Sequence, residues 1–231
     1  MARKIPPPTS DKPLAPSGVK QATFNQLLDI ARQKIELTGS APSVSDVALL
    51  AGVSRATAYR CFPSRAAMLT AVVGASLGPM RTFASDHLEG IDRVMDLFKR
   101  SLPRLTKNET SFRTAVQLSL EQRALALAGQ LKEPSFRRGY RIQILAHAME
   151  PFKAQLPEDI YLQLHKALSV VYGIESYIVL KDIWNESSKQ VETTVLWMAK
   201  ALVEAAQLQA SARINSKPVI ATRSQSLKGK T

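Results

Sequence analysis

The sequence predicts an all-α protein in two parts, a three-helix unit near the N-terminus and a longer helical part behind it. From Gln21 onward, apolar residues recur at spacings of three and four in almost every stretch, which is the period of an amphipathic helix. No segment sustains the two-residue alternation of a strand between hairpin turns. Short breaks of Pro, Gly, Asn and Ser separate the helical runs. At 231 residues, 45% of them apolar, the chain has material for one or two domains with a sizeable core, and it shows no internal repeat.

Residues 1–20 are rich in proline, carry four basic residues and hold few large apolar side chains, so they read as a flexible arm. Phe24, Leu27, Leu28, Ala31 and Ile35 then mark a first helix over about Val19 to Thr38, closed by "TGSAPS". Two short helices are expected between residues 44 and 62. "SRAAMLTAVVGASLGPMRTFASDHL" reads as one helix interrupted near Gly78-Pro79, because proline removes a donor and clashes with the preceding turn. "IDRVMDLFKRSL", "TSFRTAVQLSLEQRALALAG", "SFRRGYRIQILAHAMEPFKAQL", "PEDIYLQLHKALSVVYGIESYIVLKDIW" and "SKQVETTVLWMAKALVEAAQLQA" each read as a further helix. The tail from Arg213 is basic, polar and aperiodic, and reads as disordered. The expected divisions are therefore 1–20, 21–65, 66–212 and 213–231.

The formal charge is +12, unevenly spread: +5 over residues 1–65, +2 over 66–212 and +5 over 213–231. Such an excess favours an anionic partner, either nucleic acid or an acidic membrane surface. No apolar run reaches signal-peptide or membrane-spanning length, so neither export nor insertion is expected. The single cysteine, Cys61, excludes an internal disulfide and points to a reducing cytoplasm, where it serves as a small filler rather than a redox sensor. His87, His147 and His165 lack metal-ligand spacing, so no metal or cofactor is expected. Nor is there a nucleophile–base pair, a paired carboxylate or a phosphate loop to suggest an enzyme.

"VSDVALLAGVSRATAYRCFPSR", residues 44–65, carries the most specific pattern. Ser43 precedes it with Asp46 three residues on, a pairing that satisfies free amides at a helix start. Val47, Ala48 and Ala51 present a small-residue face, and Gly52 ends the helix where a positive φ is wanted. Ser54 caps a second helix, whose Thr57, Ala58 and Phe62 follow before "PSR" stops it. Two short helices on a tight glycine turn form a helix-turn-helix, with Ala48 and Ala58 small because the helices cross closely. In that geometry the second helix, about Ser54 to Cys61, leads into the major groove of double-stranded DNA. Arg55 is the side chain there able to grip a guanine edge with two hydrogen bonds, while Ala56 or the Thr57 methyl can touch a thymine methyl. Ser43, Thr57 and Tyr59 offer hydroxyls, and Arg65 a charge, to flanking phosphates; Ser54 and Arg60 complete the expected DNA-binding set. A plain helix pair inside a bundle would need neither the glycine turn nor an exposed Arg55 and Tyr59.

These residues resemble the DNA-binding domain of the TetR family of one-component transcriptional regulators. The pattern is carried by Val47-Ala48, Ala51-Gly52-Val53-Ser54, Thr57, Tyr59, Phe62 and Arg65, and it covers about residues 21–72. Cys61 stands where the family more often has His or Tyr, and Arg65 where Lys is common. The resemblance implies a cytoplasmic homodimer that binds a palindromic operator, a C-terminal helical domain for ligand binding and dimerisation, and a small-molecule effector that releases the DNA. A ligand-independent architectural DNA-binding protein is the alternative.

The remaining helices fit that plan. The helices over 158–184 and 188–210 carry more apolar surface than one small core needs, on stripes of Leu164, Leu168, Val171 and Ile178 and of Val191, Val195, Met198, Leu202 and Ala206. They are expected to pair with their copies as a four-helix dimer interface. The middle helices are expected to enclose the effector, with Phe83, Phe98, Phe112, Val116, Tyr140, His147, Tyr172 and Glu175 as the expected lining, and Met80, Met95, Leu120 and Ile144 as further candidates. Glu175, an acid inside an apolar stripe, either contacts the ligand or pairs with an Arg or Lys. "FRRGYR", residues 136–141, reads as a solvated basic face.

Overall fold

A computed structural model describes residues 13–136 and 139–215, and every regular element among them is helical. Helix α1 spans Gln21–Thr38, α2 Val44–Leu50, α3 Arg55–Cys61 and α4 Arg65–Leu77, followed by a 3₁₀ turn over Gly78–Thr82. Then come α5 (Gly90–Lys107), α6 (Glu109–Leu127), α7 (Tyr140–Ala148), α8 (Phe152–Gln155), α9 (Glu158–Val171) and α10 (Ile174–Tyr177). A π-helical turn over Ile178–Ile183 leads into the last helix, α11 (Ser188–Asn215).

Two apolar clusters form the interior. The first joins Phe24, Leu27, Leu28, Ala31 and Ile35 of α1 to Val44, Val47 and Ala48 of α2 and to Ala58, Cys61 and Phe62. The rings of Phe24 and Phe62 stack with centroids 4.8 Å apart. The second gathers α5, α7, α9, α10 and α11 around Leu97, Phe98, Leu145, Phe152 and Leu168. Helix α4 belongs to both, because Ala66, Met68, Leu69 and Val72 face the first cluster while Leu77 packs on the second. Ala115 and Leu118 of α6 and Phe136 also close the first cluster. The expected division at residue 65 is thus a boundary of motifs and not of cores.

Four of the expected helical runs differ. The run expected over 64–88 ends as an α-helix at Leu77, where Gly78 takes φ +50° before Pro79, and after the 3₁₀ turn residues 83–88 are not helical. Helix α5 runs through Pro103 to Lys107 instead of stopping at Leu102. Pro103 faces solvent beside the exposed Lys99, so the carbonyl that loses its amide donor can be hydrated. The run expected over 135–156 is cut at Met149–Pro151, where Pro151 cannot donate to the end of α7. Arg93 of α5 takes that role, its Nη2 donating to the His147 carbonyl (3.0 Å) and its Nε to that of Ala148 (3.3 Å). The run expected over 157–184 is cut at Tyr172-Gly173, where Arg141 Nη1 donates to the Ser169 carbonyl (2.7 Å) and the Ser176 hydroxyl to that of Val171 (2.9 Å).

The arm is part of the fold over residues 13–20. Ala15 N donates to Gln21 Oε1 (2.9 Å), and Pro13 lies beside Gly74 of α4. The tail expected from Arg213 starts later, because α11 continues to Asn215 and Arg213 Nη1 donates to Asp159 Oδ1 (2.7 Å). Residues 1–12, Arg137 and Arg138 of the basic run, and residues 216–231 lie outside the described residues. No described helix is long and apolar enough to cross a membrane.

Candidate nucleic-acid surface and interior cavity

Helices α2 and α3 are held together by short-range hydrogen bonds. The Ser43 Oγ accepts from Asp46 N (3.1 Å) while Asp46 Oδ2 accepts from Ser43 N (3.4 Å), closing the capping box. Gly52 turns the chain at φ +65°, and Val53 N donates to the Ala48 carbonyl (3.1 Å). Gln26 of α1 donates to the Ala51 carbonyl (3.1 Å), fixing the turn against the first helix. Ser54 Oγ accepts from Thr57 N (3.1 Å) and also shares a proton with Thr57 Oγ1 (2.9 Å).

That framework turns one side of α3 inward and the other outward. Ala58 and Cys61 are buried, whereas Ser54, Arg55, Ala56, Tyr59 and Arg60 are exposed, with Ser43 exposed beside them. Arg55 makes no hydrogen bond or ion pair among the described residues, so its guanidinium is available to a partner. Arg60 folds its Nε back on the Ala56 carbonyl (3.4 Å), and the Tyr59 hydroxyl lies 3.5 Å from Ser45 Oγ. Burial pushes the Cys61 thiol above its usual range despite the nearby Arg60, which suits a filler.

Arg65 is placed differently from the expected phosphate contact. At the start of α4 its Nη2 bonds Glu121 Oε1 of α6 (2.8 Å) and lies 3.7 Å from Glu133, so two acids compete for its charge. Sequence spacing offers no sign of this pairing, because Glu121 is 56 residues away.

Between the two clusters lies a cavity of about 80 Å³. A single water needs roughly 10–15 Å³ on this measure, so there is room for several waters or a small organic molecule. Phe112, Val116, Tyr140 and Tyr172 line it as expected, with Met80 and Ile144. Phe83, Phe98 and His147 do not. Phe83 is buried with Arg100 over its ring, and Phe98 packs edge-on to the Tyr172 ring. His147 points into solvent at the end of α7. Leu120 is exposed and Met95 packs on the core away from the cavity.

Glu175 takes the pairing alternative: its Oε2 accepts from Arg141 Nη2 at 2.6 Å. Arg104, Ser101 and Gly173 also line the cavity, three positions that the sequence did not nominate, and so does Arg141: the run 136–141 is not the solvated face expected, because Phe136 is buried and Arg141 is turned to the cavity by its pairing with Glu175. Ser101 Oγ and Tyr172 Oη are bonded at 2.8 Å, and burial pushes the Tyr172 hydroxyl up to about 12. That phenol is therefore neutral throughout the physiological range.

The apolar surplus on α9 and α11 exists, on different residues from those expected. Leu164, Leu168, Val171, Val191, Val195 and Ala206 are buried within the chain, where α9, α11 and α5 pack on one another. The exposed apolar side chains are Leu162, Val170, Val179, Ile183, Trp184, Trp197 and Leu208. Trp184 and Trp197 are each about 70% exposed, far more than a lone surface tryptophan needs.

The described residues hold no group of three His, Cys, Asp or Glu side chains able to bind a metal ion. No protein-family model matches the chain, and no curated protein matches it significantly in sequence. Geometry and sequence pattern therefore carry the functional reading.

Proposed function

We propose that the protein is a DNA-binding transcriptional regulator similar to the TetR family, in which a homodimer represses by occupying a palindromic operator and a small molecule releases it. The observation that carries this is the outward face of α3, where Arg55 stands exposed and unpaired beside Ala56 and Tyr59 on a capped helix joined to α2 by a glycine turn. It supports the reading of α2 and α3 as a helix-turn-helix whose second helix enters the major groove. The exposed Trp184, Trp197, Leu162 and Leu208 support pairing of α9 and α11 with a second copy, which sets two recognition helices on a two-fold axis. The cavity supplies a place for an effector, and α4 lines it with Val73 and Leu77 while its first residue, Arg65, is separated from the end of α3 by three residues. An effector that fits one setting of α4 better than another shifts the spacing of the recognition helices by no more than its difference in affinity.

The test is selection of bound fragments from the source genome at near-physiological salt, with footprinting of the recovered sites. A few sites with inverted half-sites about one helical turn apart are expected. Broad recovery that collapses on modest addition of salt would instead mark an architectural binder held by phosphate contacts alone. Arg55→Ala should cost about 1–3 kcal/mol at the selected site and little on scrambled DNA, since it removes a base contact.

A further inference from the structure

Arg104 and Arg141 are the two cations of the cavity wall, and Arg104 is the one that holds no acid; Arg81, also unpaired, lies outside the wall with its guanidinium 5.4 Å over the Tyr140 ring. Arg104 lies on the face of α5 that also carries Leu97, Ser101 and Leu105, and it lines the cavity. Its Nε donates to the Ser76 carbonyl (3.2 Å), and this is its hydrogen bond among the described residues. Neither Nη group bonds anything there, and no carboxylate lies within ion-pair distance. Arg65, Arg113 and Arg141 by contrast each hold an acid at 2.6–2.9 Å.

The backbone makes room for this guanidinium. Gly78 adopts φ +50°, and a Cβ there would overlap Arg104 Nη2 and Cζ. The glycine thus serves two needs at once, a left-handed turn after α4 and a space filled by the head of Arg104. A cation half-buried against apolar walls without a counter-charge is costly, and its Nη donors form a planar fork. The rest of the wall is neutral in sum, because Arg141 is offset by Glu175 and the Ser101 and Tyr172 hydroxyls satisfy each other. Val73, Leu77, Met80, Phe112 and Ile144 leave the remainder apolar.

We propose that the effector is a small organic monocarboxylate with an apolar body, its carboxylate gripped by Arg104 Nη1 and Nη2 and its body lying among those side chains. This rests on the reading of the cavity as the effector site and names the ligand class. One negative charge balances the one uncompensated cation of the cavity wall. A phosphomonoester dianion would bring a surplus negative charge into an apolar space, an amine would meet repulsion, and an amide would leave the fork half-used.

Calorimetry on the full-length protein with butanoate, hexanoate and octanoate, and with hexanamide, hexylamine and hexyl phosphate, tests this. At least one carboxylate should bind ~10-fold or more tighter than hexanamide and hexyl phosphate, with hexylamine weakest. Arg104→Gln should weaken that carboxylate ~30-fold while leaving hexanamide within ~3-fold, and Arg104→Lys should fall between. Carboxylates no tighter than the amide or the amine, no carboxylate binding at all, or binding indifferent to Arg104→Gln overturns the proposal; the wild-type series decides even if the variants fail to fold. DNA binding followed in parallel separates the two readings. Arg104-dependent carboxylate binding without effect on the operator complex keeps the ligand class and removes the effector role. Operator release by an amine or neutral compound keeps the regulator and removes the ligand class.

Discussion

Gly52 and Gly173 both stand where a helix stops, and their surroundings differ. At Gly52 the backbone turns at φ +65° with nothing within 4 Å of where a Cβ would sit. At Gly173 φ is +155°, and a Cβ would strike the Arg141 guanidinium and the Glu175 carboxylate. The first glycine answers a need of the local backbone. The second also answers a contact made by a residue of another helix, since Arg141 and Glu175 are 34 positions apart. The caps and turn of the α2–α3 unit are built by interactions within a few residues, with Gln26 of α1 bracing the turn, and the cavity by side chains brought from far along the chain.

The largest effect expected from this difference is at Gly173. Gly173→Ala combines an unfavourable φ with a clash against an ion pair, and should lower unfolding stability by about 2–4 kcal/mol in urea titrations. Gly52→Ala meets only the backbone cost and should lose about 1–2 kcal/mol. Equal losses at the two positions would show that the ion pair gives way freely and that the distinction between local and distant construction fails.

The same distinction explains what could be read from the chain. Caps, glycine turns and small-residue crossings are written within four or five residues, so Ser43, Asp46, Gly52 and Ser54 were legible and stand where expected. The cavity was half legible. Phe112, Val116, Tyr140 and Tyr172 follow from helical period and bulk, whereas Arg104 was hidden by Pro103, which reads as a helix end but sits on the solvent side of an unbroken helix. The pairings of Arg65 with Glu121 and of Arg141 with Glu175 depend on how helices pack, which no period records. The apolar surplus on α9 and α11 was legible as a quantity; which face it occupies was not, because Gly173 and the π-helical turn after it shift the register of the stripe.

A middle-sized effect tests the local side alone. Ser43→Ala and Ser54→Ala each leave helix-start amides without an acceptor, and each should cost about 1 kcal/mol. Because α2 and α3 depend on caps in series, the double variant should lose about the sum if the caps act independently, and more if the two helices fray together. Hydrogen exchange at the amides of Asp46 and Thr57 reports which occurs, since those groups donate to the two serines.

The smallest effect belongs to a distant contact on the outer rim. Glu109, at the start of α6, accepts from Arg113 Nε (2.9 Å) and from Lys181 Nζ of the π-helical turn, 72 residues away. Burial pushes its carboxyl up, but the hydrogen bonds from Lys181 and Arg113 outweigh this and hold it below its ordinary value of 4.5. A carboxyl whose folded-state pKa is depressed contributes stability above its unfolded-state pKa, and that contribution is lost as pH falls through the folded-state value. Glu109→Gln should therefore cost about 1 kcal/mol or less near pH 7, a partly exposed pair being screened by solvent, with the gap to wild type closing below about pH 4. Urea titrations of both proteins across that range check it. A gap that stays constant into acid would mean that Glu109 acts through packing at the start of α6, and that the link to Lys181 adds nothing to holding the π-helical turn in place.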